Sequence, residues 1–407
     1  MQFLLIFFIL FSFYPQSSQS QTTNKFIPPE PFPIFAWCSL QSRDASLDRL
    51  RELKDDGFTY SVFHFSNNEE MLKGLNLAQK VGLKIFIDTP ELRNKTEKTV
   101  KQFINHPALG GYFLRDEPNA KEFPYLGELA TKVQSVDDSH PCFINLFPTY
   151  ASPEQLGAAT YQEHIDQFIE KVPVPFISFD HYPILENSVR LDWYENLEII
   201  SKAAQKARKP FWSVVLSVAI QDHYPIAALT HLRLQVFSNL AYGAQGIEYW
   251  TYFKPKTDLN PDSEQFYSAP ITVDLKRTVV YERVWEMNRE INALSGVFKN
   301  SEVLSVSHTG NPIPKGTRHI HKLAPPINNL NITGAGAIVS ELEKGNKRFL
   351  VIVNRELENI VQVSITVDDA ERVKRVRKDG SINPLIFKKT LHHIEPGDIA
   401  IFMWEKK

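Results

Sequence analysis

The sequence predicts an α/β fold, a (β/α)8 TIM barrel followed by a small all-β sandwich domain. Three observations point there. Short, nearly continuous apolar runs alternate eight times with charged segments of helical period, and this texture ends near residue 299. Beyond it come short β-type runs separated by turn residues. Apolar strands alternating with amphipathic helices imply a parallel sheet covered by helices, and eight such units match the barrel count. A doubly wound open sheet is set aside because no Gly-rich phosphate loop follows the first run.

The chain opens differently. Residues 3–14 (FLLIFFILFSFY) form an apolar run too short to span a bilayer, followed by Ser18-Gln19-Ser20 with small residues before a cut at Gln21. Residues 1–20 therefore read as a signal peptide, although the first basic residue is Lys25. The expectation is a secreted or periplasmic protein with no membrane span after signal cleavage. Cys38 and Cys142 are the two cysteines of the chain, and two small buried side chains explain them better than a disulfide framework.

The barrel is expected over residues 21–299, with strands at 33–40, 58–65, 83–88, 109–117, 142–148, 175–184, 211–219 and 246–253. Helical stretches between them carry stop signals. The segment at 46–53 ends at Gly57, that at 69–81 ends at Gly82, and that at 192–207 ends before Pro210. The sandwich is expected over 300–407, from β-type runs at 303–306, 337–339, 349–353, 361–367 and 399–404. Its carboxylates do not cluster, so packing against the barrel is its default role and glycan binding the alternative.

With 407 residues, 43% hydrophobic and 23% charged, the chain is long enough for a large core. A net charge of −2 with both signs interspersed gives nucleic acid or an anionic membrane no electrostatic footing. Aromatic content of 12% suits a sugar-stacking cleft, though core packing could account for it as well.

In a barrel, sites form at the carboxyl ends of the strands. Those tips collect Trp37, His64, Asp88, Arg115, Asp116, Glu117, Asn145, Asp180, His181, Tyr182, Gln221, Glu248, Trp250 and Tyr252. Each has a bland reading on its own: His64 as a core histidine, Asp88 as a helix cap, Asn145 as a loop ligand. Together they line one rim with acids, amides and aromatic rings. Hydrolysis of a glycosidic bond needs that set: one acid protonates the leaving oxygen, a second carboxylate attacks or activates water, and rings stack on the sugar. Neither a cofactor nor a metal is required.

Phe113-Leu114-Arg115-Asp116-Glu117-Pro118 on the fourth strand resembles the Asn-Glu-Pro signature of a large clan of (β/α)8 glycosidases, which includes β-galactosidases and cellulases. The resemblance implies Glu117 as general acid/base and Asp116 in the place of an asparagine that binds the sugar 2-hydroxyl. Asp180-His181-Tyr182-Pro183 is similar to that clan's His-x-Tyr tips on strand six, and the segment 243–250 to its strand eight; a following β-sandwich is also common there. Trp37, His64, Arg115, Asn145, His181, Tyr182, Trp250 and Tyr252 are the expected substrate-binding residues.

One departure stands out. The clan's nucleophile is a Glu at the tip of strand seven, and residues 211–221 carry no acid. Either the strand count slips or the second carboxylate lies elsewhere, with Glu248 and Asp180 as equal candidates. Opposed strands four and eight would favour the wide gap of an inverting enzyme, but the stereochemistry stays open. By strand parity Arg115 points with Glu117 or else pairs with Asp116. Two rival readings remain. One is a metal-dependent hydrolase acting on sugars through His64, Asp88, Asp180 and His181; the other is a non-catalytic glycan-binding barrel.

Overall fold

Eight parallel strands close into a barrel in the computed structural model of the protein, which describes residues 31–37, 45–186, 188–255 and 265–406. The strands are β1 (Ile34–Ala36), β2 (Tyr60–His64), β3 (Lys84–Asp88), β4 (Leu109–Asp116), β5 (Cys142–Leu146), β6 (Ile177–Asp180), β7 (Phe211–Leu216) and β8 (Gly246–Trp250). Each pairs with its sequence neighbour, and β8 closes on β1 through Ile34–Ile247 and Ala36–Tyr249. The strand count of the sequence reading therefore holds. The leader expected at 1–20 and Cys38 lie outside the described residues; Cys142 is a free, buried thiol.

Local chemistry sets the helix ends. Asn67 accepts a hydrogen bond from the Glu70 amide (2.9 Å) to start helix Asn68–Val81, and Gly82 ends it at φ 68°. Thr89 and Thr160 cap the helices after β3 and β5 in the same way. The helix Trp193–Ala207 stops in a left-handed Arg208 rather than a glycine. Among the described residues no helix is long and apolar enough to cross a membrane.

Large rings fill the barrel interior: Phe35, Phe86, Phe143, Phe113, Phe176 and Trp212, with centroids of Phe35, Phe86 and Phe143 5.3–5.6 Å apart. Glycines make room for them. A Cβ on Gly246 would lie 2.4 Å from the Trp212 indole, and one on Gly111, at φ 155°, 2.4 Å from the Phe86 ring. Much of the aromatic content noted in the sequence is thus core.

After the last barrel helix, Val279–Phe298, nine strands form two antiparallel sheets: β9 (Glu302–His308), β10 (Ile327–Thr333), β11 (Ala337–Lys344), β12 (Lys347–Asn354), β13 (Val361–Val367), β14 (Lys374–Val376), β15 (Ile382–Pro384), β16 (Lys389–Ile394) and β17 (Ile399–Glu405). One sheet runs β9-β11-β12-β17-β14-β15 and the other β10-β13-β16. Alternate residues of β12 and β17 face opposite ways. Phe349, Val351 and Ile401 join the barrel-side core, while Leu350, Ile352 and Phe402 pack against the smaller sheet. Buried polar links fasten the seam: Ser340 Oγ donates to the Ala241 carbonyl (2.7 Å), and Tyr242 Oη meets His308 Nε2 at 2.8 Å.

Candidate active site

A cavity of about 320 Å³ opens at the carboxyl ends of the strands. Trp37, Asp116, Glu117, Asn145, Tyr150 and Asp180 line one part of it, and Tyr182, Val214, Ile220, Tyr224 and Trp250 the rest.

Asp116 and Glu117 are consecutive yet both reach this cavity, which strand alternation forbids. Two local departures allow it. A bulge interrupts the β4–β5 register between Phe113 and Arg115, and Glu117 sits at φ 43°, outside the usual range for a side-chain-bearing residue. The Glu117 amide still donates to the Asn145 carbonyl (2.9 Å), so the strained residue is anchored. Arg115 turns outward to Glu122 (Nε–O 3.0 Å). It is neither beside Glu117 nor paired with Asp116, contrary to the parity reading, because the bulge resets the alternation.

Asp180, at the end of β6, lines the same cavity, close enough to Glu117 for each carboxyl to act on the other's ionisation. Burial first, then the nearby Asp116 charge, raises Glu117 to about 7. Asp180 is pushed up by burial, by Glu117 and by Asp116. Two neighbouring buried carboxyls that oppose each other's ionisation take up charge one at a time, so over part of the pH range one is acid and the other carboxylate. Asp180 Oδ1 is buried without a hydrogen-bond partner among the described residues. Asp116 is also raised by burial, but solvent reaches it through the cavity mouth and the Asn145 amide donates to it (3.1 Å).

Glu248 is elsewhere. It lies one layer deeper, fully buried, accepting from Trp37 Nε1 (2.6 Å) and in contact with Ser178 Oγ (2.8 Å), and burial lifts it to about 8. It does not line the cavity, so Asp180 is the carboxylate that stands opposite Glu117.

Tyr252 is a second correction. β8 ends at Trp250, so alternation does not extend to Tyr252; its fully buried ring packs outside the barrel on Phe58, and its hydroxyl donates to Asp56. Asp56 also accepts from Tyr281 (2.6 Å). Tyr252→Phe should cost about 1–3 kcal/mol of stability in a chemical melt and leave substrate KM unchanged, since it removes one donor from a buried carboxylate.

His181 is buried between Trp193 and Tyr150, with Nε2 3.4 Å from Asp192, so it supports the cavity wall from behind. His64 is half-exposed on the rim and pairs with Asp88 (2.5 Å), which Arg93 also holds at 2.7 Å. His64 and Asp88 thus pair with each other, His181 turns to Asp192, and Asp180 faces Glu117, so the four do not converge. Among the described residues no group of three His, Cys, Asp or Glu side chains could hold a metal ion.

Tyr150 and Tyr224 escaped the sequence reading. Tyr150 follows β5 and lies under the Arg190 guanidinium (4.4 Å), which also donates to the Tyr224 hydroxyl (3.0 Å) and the Tyr182 carbonyl (3.2 Å). Tyr224 comes from a loop beyond β7, where Ala219–Ile220 pairs antiparallel with Phe266–Tyr267 beside the mouth. Gln221, expected at a strand tip, belongs to that loop, and its backbone N–H donates to the backbone carbonyl of Gln265 (2.9 Å). The signal for these tyrosines was the cluster of aromatic residues just past each strand end.

No family model matches the sequence, and no curated protein matches it either. Solved structures do match in fold. A β-L-arabinopyranosidase from Geobacillus stearothermophilus superposes with a TM-score of 0.52 at 10% identity, covering 93% of this chain and 98% of that one. α-Galactosidase I from Mortierella vinacea gives 0.51 at 9% identity, covering 92% and 97%. An α-amylase from Anoxybacillus gives 0.51 at 10% identity, covering 93% and 98%. At such identities the likeness shows the fold: a barrel plus β-sandwich shared with glycoside hydrolases.

Proposed function

We propose that the protein is a glycoside hydrolase whose catalytic carboxyls are Glu117 and Asp180. The observation that carries this reading is that both carboxyls line one cavity walled by indole and phenol rings, where Glu117 and Asp180 act on each other's ionisation. Glu117 gives its proton to the glycosidic oxygen as the bond from that oxygen to the anomeric carbon breaks. The Asp180 carboxylate attacks that carbon, and water, deprotonated by Glu117, then releases the sugar. Two carboxyls that share one small cavity and act on each other's ionisation fit the narrow gap of about 5–5.5 Å better than about 6.5–9.5 Å. The proposed outcome is therefore retention. Asp116 and Asn145 are proposed to bind hydroxyls next to the reacting carbon, with Trp37, Trp250, Tyr150, Tyr182 and Tyr224 as stacking and hydrogen-bonding walls. Carbohydrate is the proposed partner, and the sandwich is proposed to act as a packing domain.

A panel of 4-nitrophenyl glycosides tests the reading. At least one should be hydrolysed, with the retained anomer appearing first by proton NMR. Binding without turnover by the wild-type protein would instead support a glycan-binding barrel. No basic side chain lines the cavity among the described residues, so neutral glycosides should be cleaved at least tenfold faster than uronides, since a carboxylate ligand would face three acids at close range. Export is proposed from the leader: N-terminal sequencing of the mature protein should begin at Gln21.

A further inference from the structure

Glu248 is a buried carboxyl that the proposed chemistry does not use, and it ends a chain of contacts leading to the cavity. Ser178 Oγ lies 2.8 Å from Glu248 Oε1 and 2.9 Å from Asn145 Oδ1, and Asn145 Nδ2 donates to Asp116 Oδ1 at 3.1 Å. Ser178 and Asn145 are buried. A hydroxyl carries one proton and cannot donate to two acceptors at once. With the Asn145 amide turned toward Asp116, its oxygen must accept from Ser178, and Glu248 must then donate to Ser178. The direction of the chain is thereby set: Glu248 to Ser178 to Asn145 to Asp116.

We infer that Glu248 is a positioning residue that works in its proton-bearing form, aiming the Asn145 amide at Asp116 and so holding Asp116 as an ionised neighbour of Glu117. The inference rests on the Glu117–Asp180 reading only for its effect on rate; the hydrogen-bond chain stands without it. The surroundings agree. Trp37, just past β1, donates to the other oxygen at 2.6 Å, Val214 on β7 is apolar, and Asp116 is the charged group that acts on Glu248. An ionised Glu248 would place a second negative charge within reach of the first, with no cation among these neighbours.

The conservative variant separates this role from catalysis. In Glu248→Gln the amide N–H donates to Ser178 and the amide oxygen accepts from Trp37, so the chain keeps its direction. Glu248→Leu removes the donor. With carbon-13-labelled carboxyls followed by NMR, Glu248 in the wild-type protein should stay protonated at pH 6. The Asp116 titration should be the same in wild type and Gln variant, and should move to higher pH in Glu248→Leu. On the 4-nitrophenyl glycoside cleaved by the wild type, the Gln variant should stay within about threefold of it. The Leu variant should lose on the order of 10²-fold in kcat with little change in KM, as misplaced catalytic groups do. Ser178→Ala should resemble Leu. An ionised Glu248 at pH 6, or an Asp116 titration that moves as far with Gln as with Leu, would overturn the inference. Intact titrations in a protein that cleaves no glycoside would instead overturn the functional reading and leave the chain in place.

Discussion

Glu117→Gln should lower kcat/KM by roughly 10²–10⁴-fold for glycosides with poor leaving groups, and much less for 2,4-dinitrophenyl glycosides, which depart without a proton. Asp180→Asn should cost at least as much with either leaving group, because the attacking carboxylate is gone. Since the two act as a unit, the double variant should be no worse than the poorer single one. Azide separates the roles. Added to Asp180→Ala it should give a glycosyl azide of inverted configuration; added to Glu117→Ala it should give the retained azide. Equal rescue with the same configuration would reject the assignment. The pH profile carries a further mark. With Glu117 near 7, kcat/KM should fall above about pH 7 as the acid loses its proton. Asp116→Asn removes a negative neighbour that raises Glu117, so that limb should move to lower pH.

How far the sequence could be read depended on whether a signal was local. The eight barrel strands were legible because each is a short apolar run bounded by turn or cap residues, and the tip rule then gathered Asp116, Glu117, Asn145 and Asp180 at one rim. Alternation failed where the backbone leaves regular geometry. The bulge before Arg115 and the left-handed Glu117 sent Arg115 outward and brought Asp116 and Glu117 to the same side. Glu248 and Asp180 could not be separated because depth along the barrel axis is set by strand stagger, which one strand's sequence does not record. Tyr150 and Tyr224 come from loops that the barrel positions but does not pattern. In the sandwich, Ile327–Thr333 (INNLNIT) and Lys389–Ile394 (KTLHHI) were passed over, since strands of an exposed sheet carry polar residues on the solvent face.

Thermal stability should fall as pH rises from about 5 to 8, and Glu248→Gln should flatten most of that slope. The folded value of Glu248, about 8, lies above the ordinary 4.5 of the unfolded chain. Between those values the folded protein holds a proton that the unfolded chain has released. Because unfolding then releases a proton, the free energy of unfolding declines with pH. The contribution is complete below about pH 4.5 and is lost as pH passes through about 8. A shift of this size corresponds to on the order of 4–5 kcal/mol at 1.36 kcal/mol per pH unit, for a side chain with no exposed surface to soften it. Glu117, raised to about 7, acts in the same direction over a narrower window. Asp192 works the opposite way: burial would raise it, but His181 and Thr149 outweigh that and hold it at about 2. Its stabilisation is present above the ordinary aspartate value and lost as pH falls through about 2. The stability maximum should accordingly sit near pH 4–5, where Asp192 is ionised and both glutamates keep their protons. Calorimetric scans of wild type, Glu248→Gln and Glu117→Gln from pH 4 to 9 check this. The Glu248→Gln curve should cross above the wild type as pH rises, because a neutral amide has no proton to lose; parallel curves would mean that Glu248 is ionised in the folded protein.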